Sequence, residues 1–313
     1  MWNKTVFLIL LLFIFIIIVP IIMVGSLFWN SNDQMLIKVY NHQSDKIVVM
    51  QLEEYLRGVV AAEMPAAYSI EALKAQAVAA RTYTLKQLPQ FGGPGCQEHS
   101  EADISTDFKN NQAWLSKKDM QEKWGFTPYF YYWARVSGAV KQTRGEILLY
   151  NGRIIDAVYH ANSGGFTENA VNVWGKKVPY LTTVKSSYDR EASQNLYFGI
   201  SQIIKKLNLN LNKADFKITI IEKSKSGRVL KMKIGKQLYS GTDIRQKLNL
   251  PSTKFDISSQ SDIITFHIQG KGHGVGMSQD GANGMAKAGY TYHQILKHYY
   301  PGTKITDIGE VKK

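Results

Sequence analysis

Apolar positions along this chain fall into patterns with distinct consequences. From Val6 to Trp29 every residue is uncharged, 24 in a row. That is long enough to cross a bilayer core of about 30 Å as a helix. Beyond it, Leu52, Tyr55, Leu56, Val59 and Val60 recur at helical spacing, and Pro65 predicts a helix end near Glu63. A second helix is expected from an N-cap at Ser69, with Glu71 in its first turn, to a stop near Pro89. Its many alanines permit close approach by another element. Residues 91–107 read as loop. Short helices are expected at 116–124 and 129–142, the first stopped by Gly125.

The later pattern changes. EILLY and RIIDAVYH flank Asn151-Gly152, a two-residue hairpin turn. FKITIIEK and RVLKMKI form a second hairpin through Ser226-Gly227, and a helix is expected over 240–248. The strand DIITFHI leads into the glycine-rich GKGHGVGMSQDG, and a final helix spans 291–298. Helices first and hairpins later predict an α+β fold: N-terminal helices, then β-hairpins, then a strand, glycine-rich turn and helix.

The apolar run predicts the domain plan. Residues 1–29 are expected to be a cytoplasmic tip and a transmembrane anchor, 30–35 a polar linker, and 36–313 one folded ectodomain outside the cytoplasm. A cleaved signal peptide is the alternative. Its apolar core is shorter, however, and no small-x-small site follows the run. Lys4 ahead of the run sets the amino terminus inside.

Hydrophobic residues make up 44% and charged residues 20%, which excludes a disordered chain. The net charge of +13 raises a nucleic-acid reading. The basic residues are scattered and no zinc-finger spacing occurs, so no nucleic acid is expected. An anionic wall polymer or lipid headgroup suits an outward-facing basic chain better, and plain solubility is the simpler account. Cys96 is the single cysteine, so no intramolecular disulfide is available.

The chemistry centres on GVVAAEMP at 58–65. Glu63 falls on the apolar face of its helix, at the end where the helix dipole is negative. No Lys or Arg lies within four residues on that face. Each circumstance disfavours the carboxylate and raises the pKa. A carboxyl protonated near neutral pH suits a general acid. A water-solvated helix-end glutamate is the alternative.

The run LEEYLRGVVAAEMPAAYSIEALKAQAVAARTYTL resembles the sporulation stage II protein D family, with its Glu-Met-Pro, Glu-Ala-Leu-Lys-Ala-Gln-Ala and Ala-Arg-Thr-Tyr. YHANSGGFTE at 159–168 and GKGHGVGMSQDGANGMAKAGYTYHQILKHYYPGT at 270–303 agree. The resemblance implies a membrane-anchored lytic transglycosylase that cuts peptidoglycan between N-acetylmuramic acid and N-acetylglucosamine during spore engulfment, without water. Glu63 would protonate the glycosidic oxygen and then take the C6 hydroxyl proton, closing a 1,6-anhydro ring. Ordinary glycosidases use two carboxylates. Asp156 and Glu168 are candidates for a second, though their spacing favours neither.

On the same resemblance Tyr159, Ser163, Gly164 and Gly165 are expected to bind substrate, and His273 to line the glycan groove. A structural turn is the alternative at both places. No cofactor is expected. Many relatives carry zinc ligands before a Gln-Ala-aromatic triplet. Here those positions hold Ser105, Asn110 and Asn111, leaving His99 and a stray Cys96, so no metal is expected. The implied partners are denuded glycan strands, a sporulation amidase/endopeptidase and a membrane scaffold protein, in the space between the two spore membranes. A non-catalytic wall-binding module that activates an amidase is the alternative function.

Overall fold

The computed structural model describes residues 13–15, 35–107, 109 and 111–311. Residues Met1–Leu36 and Ile37–Lys313 form separate units. Among the described residues no helix is long and apolar enough to cross a membrane. Apart from 13–15, the run expected as the anchor lies outside them, as do residues 30–34 of the linker expected at 30–35.

A hairpin that the apolar pattern did not disclose opens the larger unit: β1 (Leu36–Asn41) and β2 (Lys46–Gln51). Helix α1 (Leu52–Glu63) follows without a loop and buries Leu52, Tyr55, Leu56, Val59 and Val60, the expected stripe. Helix α2 (Ile70–Gln87) starts after Ser69 as predicted, although the serine hydroxyl makes no cap bond. Its buried residues run from Ala72 to Leu85 on all sides, which marks a central rather than a surface helix. Strand β3 (Ile104–Ser105) interrupts the expected loop and pairs in parallel with β1, Val39 opposite Ile104.

Helix α3 (Lys117–Trp124) begins at a capping box between Ser116 and Asp119 and ends at Gly125. Helix α4 (Phe126–Gln142) starts three residues earlier than its apolar pattern suggested. β4 (Glu146–Tyr150) and β5 (Arg153–Ile154) make the hairpin through Asn151 and Gly152, both at positive φ. The second strand stops early. Ile155 N–H still donates to the Leu148 carbonyl oxygen at 3.3 Å, after which the chain leaves the hairpin, and β6 (Tyr159–His160) pairs elsewhere. The short helix α5 (Ala170–Trp174) follows.

Residues 193–268 build a second core. Strand β7 (Ser193–Gly199) runs into α6 (Ile200–Leu207). The meander β8 (Ile218–Lys223), β9 (Val229–Ile234), β10 (Gln237–Ser240) leads to α7 (Gly241–Leu248). β11 (Phe255–Gln260) and β12 (Ile263–Gln269) complete a sheet ordered β11-β12-β7. Ile203, Met232, Ile244, Phe255 and Phe266 lie at its centre.

The chain then returns. β13 (Met277–Ser278) pairs in parallel with β6, Met277 opposite Tyr159. Gly276 makes this possible: it has φ +73, and a Cβ there would lie 2.0 Å from the Val158 carbonyl oxygen. Helices α8 (Gln279–Lys287) and α9 (Tyr292–Tyr299) and strand β14 (Lys304–Asp307) close the unit. Around α2 pack α1, α4, α8, α9 and β4. The fold is α+β, built from helices and several small sheets.

Candidate active site

Glu63 is the last residue of α1, and the extended Met64 ends the helix. Its carboxyl is partly buried, and burial raises its pKa from 4.5 to about 7. Two favourable contacts only partly offset that burial. The Ala113 backbone N–H donates to Oε1 at 2.7 Å, and the Lys123 ammonium acts through space. The cation comes from outside α1: Lys123 reaches over from α3 and donates to the Ala61 carbonyl oxygen at 3.0 Å.

Ala113 can meet Glu63 because its segment lies directly on α1. Leu115 N–H donates to the Gly58 carbonyl at 3.2 Å. A Cβ on Gly58 would fall 2.1 Å from Trp114 Nε1, so only glycine admits this contact. The neighbouring Gln112 is buried and fully directed. Its Nε2 donates to Thr84 Oγ1 on α2 at 2.9 Å, and its Oε1 accepts from the Tyr159 hydroxyl at 2.8 Å. The triplet Gln112-Ala113-Trp114, met in the sequence only as a landmark near metal ligands, therefore carries the contacts that fix the acid.

The surroundings of Glu63 are phenolic. Tyr159 is pushed well above the ordinary phenol range by burial, with Glu63, Tyr55 and Tyr83 adding to the effect. Burial also pushes Tyr83 up to about 12, with Asp156 and then Glu63 contributing. Both phenols stay protonated at neutral pH, and the Tyr159 hydroxyl donates to Gln112. Asp156 is the second carboxyl of this neighbourhood. Burial raises its pKa, against Lys86 and Lys176. Glu168 is not a second acid. It is buried and accepts from Asn169 N–H, Asn172 Nδ2, Ser224 Oγ and Ser226 Oγ.

Of the expected substrate residues, the structure brings Tyr159 to Glu63 and sets His273 behind it. His273 is held neutral, its pKa pushed down to about 4 by burial and by Arg245 and Arg228, while a bond to the Tyr159 backbone pulls the other way. Its Nδ1 accepts from Val275 N–H at 3.1 Å. Ser163 is placed differently from the expectation. It is fully buried, and its N–H and hydroxyl both donate to Asp189 Oδ2. Gly165 N–H donates to the same oxygen at 3.1 Å, and Gly164 N–H to Asn162 Oδ1 at 2.9 Å. The turn is tight, but its serine faces inward, because Asp189 gathers it together with Ser186 and Ser278. Asp189 precedes an unpatterned stretch, and nothing in the sequence signalled it.

The positions where the family resemblance implies zinc ligands hold residues otherwise engaged. Ser105 Oγ donates to Glu98 and accepts from Asp107 N–H, each at 3.1 Å. The His99 ring lies against Tyr40, 5.0 Å between centroids, and Cys96 is buried. Asn110 lies outside the described residues. Among those described, His42, Glu98 and Asp107 bring one nitrogen or oxygen each within 4.8 Å of one another, a set without sulfur.

Residues 40–150 match the family model for stage II sporulation protein. The chain is 38% identical over 274 residues to stage II sporulation protein D of Bacillus subtilis, covering 87% of this chain and 79% of the relative. The chain belongs to the stage II sporulation protein D family. The Bacillus amyloliquefaciens member is 36% identical, covering 87% of this chain and 78% of that one. An amidase enhancer of Bacillus subtilis is 30% identical, covering 80% of this chain and 40% of its own length. The family identifies a sporulation protein. Glu63 and Tyr83 lie inside the matched region, and Tyr159 lies nine residues beyond it.

Proposed function

We propose that this sporulation protein is a lytic transglycosylase that cuts the N-acetylmuramic acid–N-acetylglucosamine bond of peptidoglycan. The observation that carries the reading is Glu63, a partly buried acid at about 7 beside the protonated phenol of Tyr159, which donates to Gln112. At neutral pH a large fraction of Glu63 carries a proton, which it gives to the glycosidic oxygen as the bond to the muramic acid C1 breaks. Positive charge develops at C1. The new Glu63 carboxylate, held by Ala113 N–H and Lys123, then removes the C6 hydroxyl proton as O6 closes on C1. The proton balance is restored without water, and the product carries a 1,6-anhydro end. One carboxyl serves both steps.

On this reading the apolar run at 6–29 anchors the protein in the membrane. The folded unit works outside the cytoplasm, between the membranes of the developing spore, on strands stripped of stem peptides by a partner amidase and held by a membrane scaffold. A second reading draws on the amidase enhancer relative: a wall-binding module that activates an amidase.

Mass analysis of the products from denuded glycan separates the two. The enzyme reading expects ends one water lighter than hydrolysis gives, absent with Glu63→Gln. Strands bound but left intact by the unaltered protein favour the module.

A further inference from the structure

Trp174 is the one tryptophan left exposed among the described residues, at 49%. Large aromatic side chains usually bury most of their surface, so an indole fixed in the open next to a reactive site calls for an occupant. The indole is fixed. Helix α5 hangs on the buried Glu168 through Asn169 N–H and Asn172 Nδ2, both at 2.8 Å, and ends at Gly175. The Ala170 N–H donates to the Leu181 carbonyl at 3.1 Å. Val171, one turn earlier, is exposed as well and extends the apolar surface.

Trp174 is also continuous with the acid. Its ring centroid lies 5.4 Å from that of His273, at 49°. His273 bonds to the Tyr159 backbone, and the Tyr159 hydroxyl reaches Gln112 beside Ala113 and Glu63. One tyrosine side chain thus spans from the indole–imidazole corner to the acid. A glycan strand is longer than one bond and must lie along such a surface. The apolar face of a pyranose ring, with its axial C–H groups, is the ligand that a flat, exposed indole fits.

We infer that Trp174, backed by His273, is a stacking subsite for a hexopyranose ring of the same glycan strand, one sugar or more removed from the bond cut at Glu63. The inference rests on the proposed glycan substrate but not on the cleavage. Binding measurements in the Glu63→Gln protein test it, because there no strand is consumed. Denuded glycan should bind Glu63→Gln/Trp174→Ala about tenfold more weakly than Glu63→Gln, with Trp174→Phe restoring most of the loss. In the active protein Trp174→Ala should raise KM and leave kcat nearly unchanged.

Glycan should also shield the indole of the unmutated chain from N-bromosuccinimide oxidation, a readout that needs no variant. Equal affinities, or oxidation at the same rate with and without glycan, overturn the subsite. A fall in kcat at constant KM also overturns it, since it moves Trp174 into the chemistry. If the glycan stacks on Trp174 but the unaltered protein never cuts it, the subsite stands and the transglycosylase reading falls.

Discussion

The backbone N–H of Ala113 points at Glu63 Oε1 from 2.7 Å, across fifty residues of chain. It stabilises the carboxylate yet leaves the acid at about 7, so burial outweighs it. The acid is thus poised rather than locked in one protonation state, which suits the two proton transfers proposed for it.

Burial of Glu63 makes stability depend on pH. Its pKa is 4.5 in a model peptide and about 7 in the fold, so the folded chain holds more protons between these values. Stability therefore falls as pH rises through that window. Glu63→Gln removes the ionisation and keeps an acceptor for Ala113. Thermal denaturation should show the variant more stable than the parent above pH 7, by at most about 3 kcal/mol, with the gap closing towards pH 4.5. A pH-independent difference would place the acid in water.

Lys123 lowers the pKa of Glu63. Replacing it with methionine removes that cation, so the alkaline limb of the rate–pH profile should move upward. A profile that stays in place, or moves towards acid, would mean that the ammonium does not act on this carboxyl.

Tyr159→Phe deletes the donor to Gln112 Oε1 and frees the amide that borders Ala113. Cleavage should slow by about tenfold, and the orphaned Gln112 acceptor should also lower stability by about 1–3 kcal/mol in thermal denaturation. An unchanged kcat/KM would remove Tyr159 from the site.

Arg81, in the Ala-Arg-Thr-Tyr hallmark, works in the framework. It is fully buried, grips both oxygens of Glu53 at 2.8 and 2.7 Å, and donates to the Glu146 and Val140 carbonyls. A lysine cannot reproduce that fork. Arg81→Lys should cost about 3 kcal/mol in urea denaturation, as loss of a buried pair does, without moving the rate–pH profile. A shifted profile would give it a part in the chemistry.

Helical spacing and turn residues made α1, α2, the helix starts at Ser116 and Thr291, and both hairpins legible, because those are local signals. Glu63 was legible for the same reason: an acid on an apolar stripe before proline is visible in one window. What could not be read is what sequence-distant segments bring. Gln112 and Ala113 have no motif of their own for the contact they make. Lys123 comes from another helix. Ser163 sits in a motif but turns inward toward Asp189, which only the folded chain brings near. Strand β6 is two residues long, too short for alternation to show, and its partner lies far along the chain.

That short ladder also sets a schedule. A chain synthesised from its amino terminus has Glu63 early and Tyr159 midway, but Met277 and Ser278 only near the end of translation. Until those two residues pair with Tyr159 and His160, the strand that carries the phenol has no ladder partner. On the proposed function, a nascent chain still emerging beside the wall carries an acid it cannot use, and competence to cut arrives only when synthesis is all but finished.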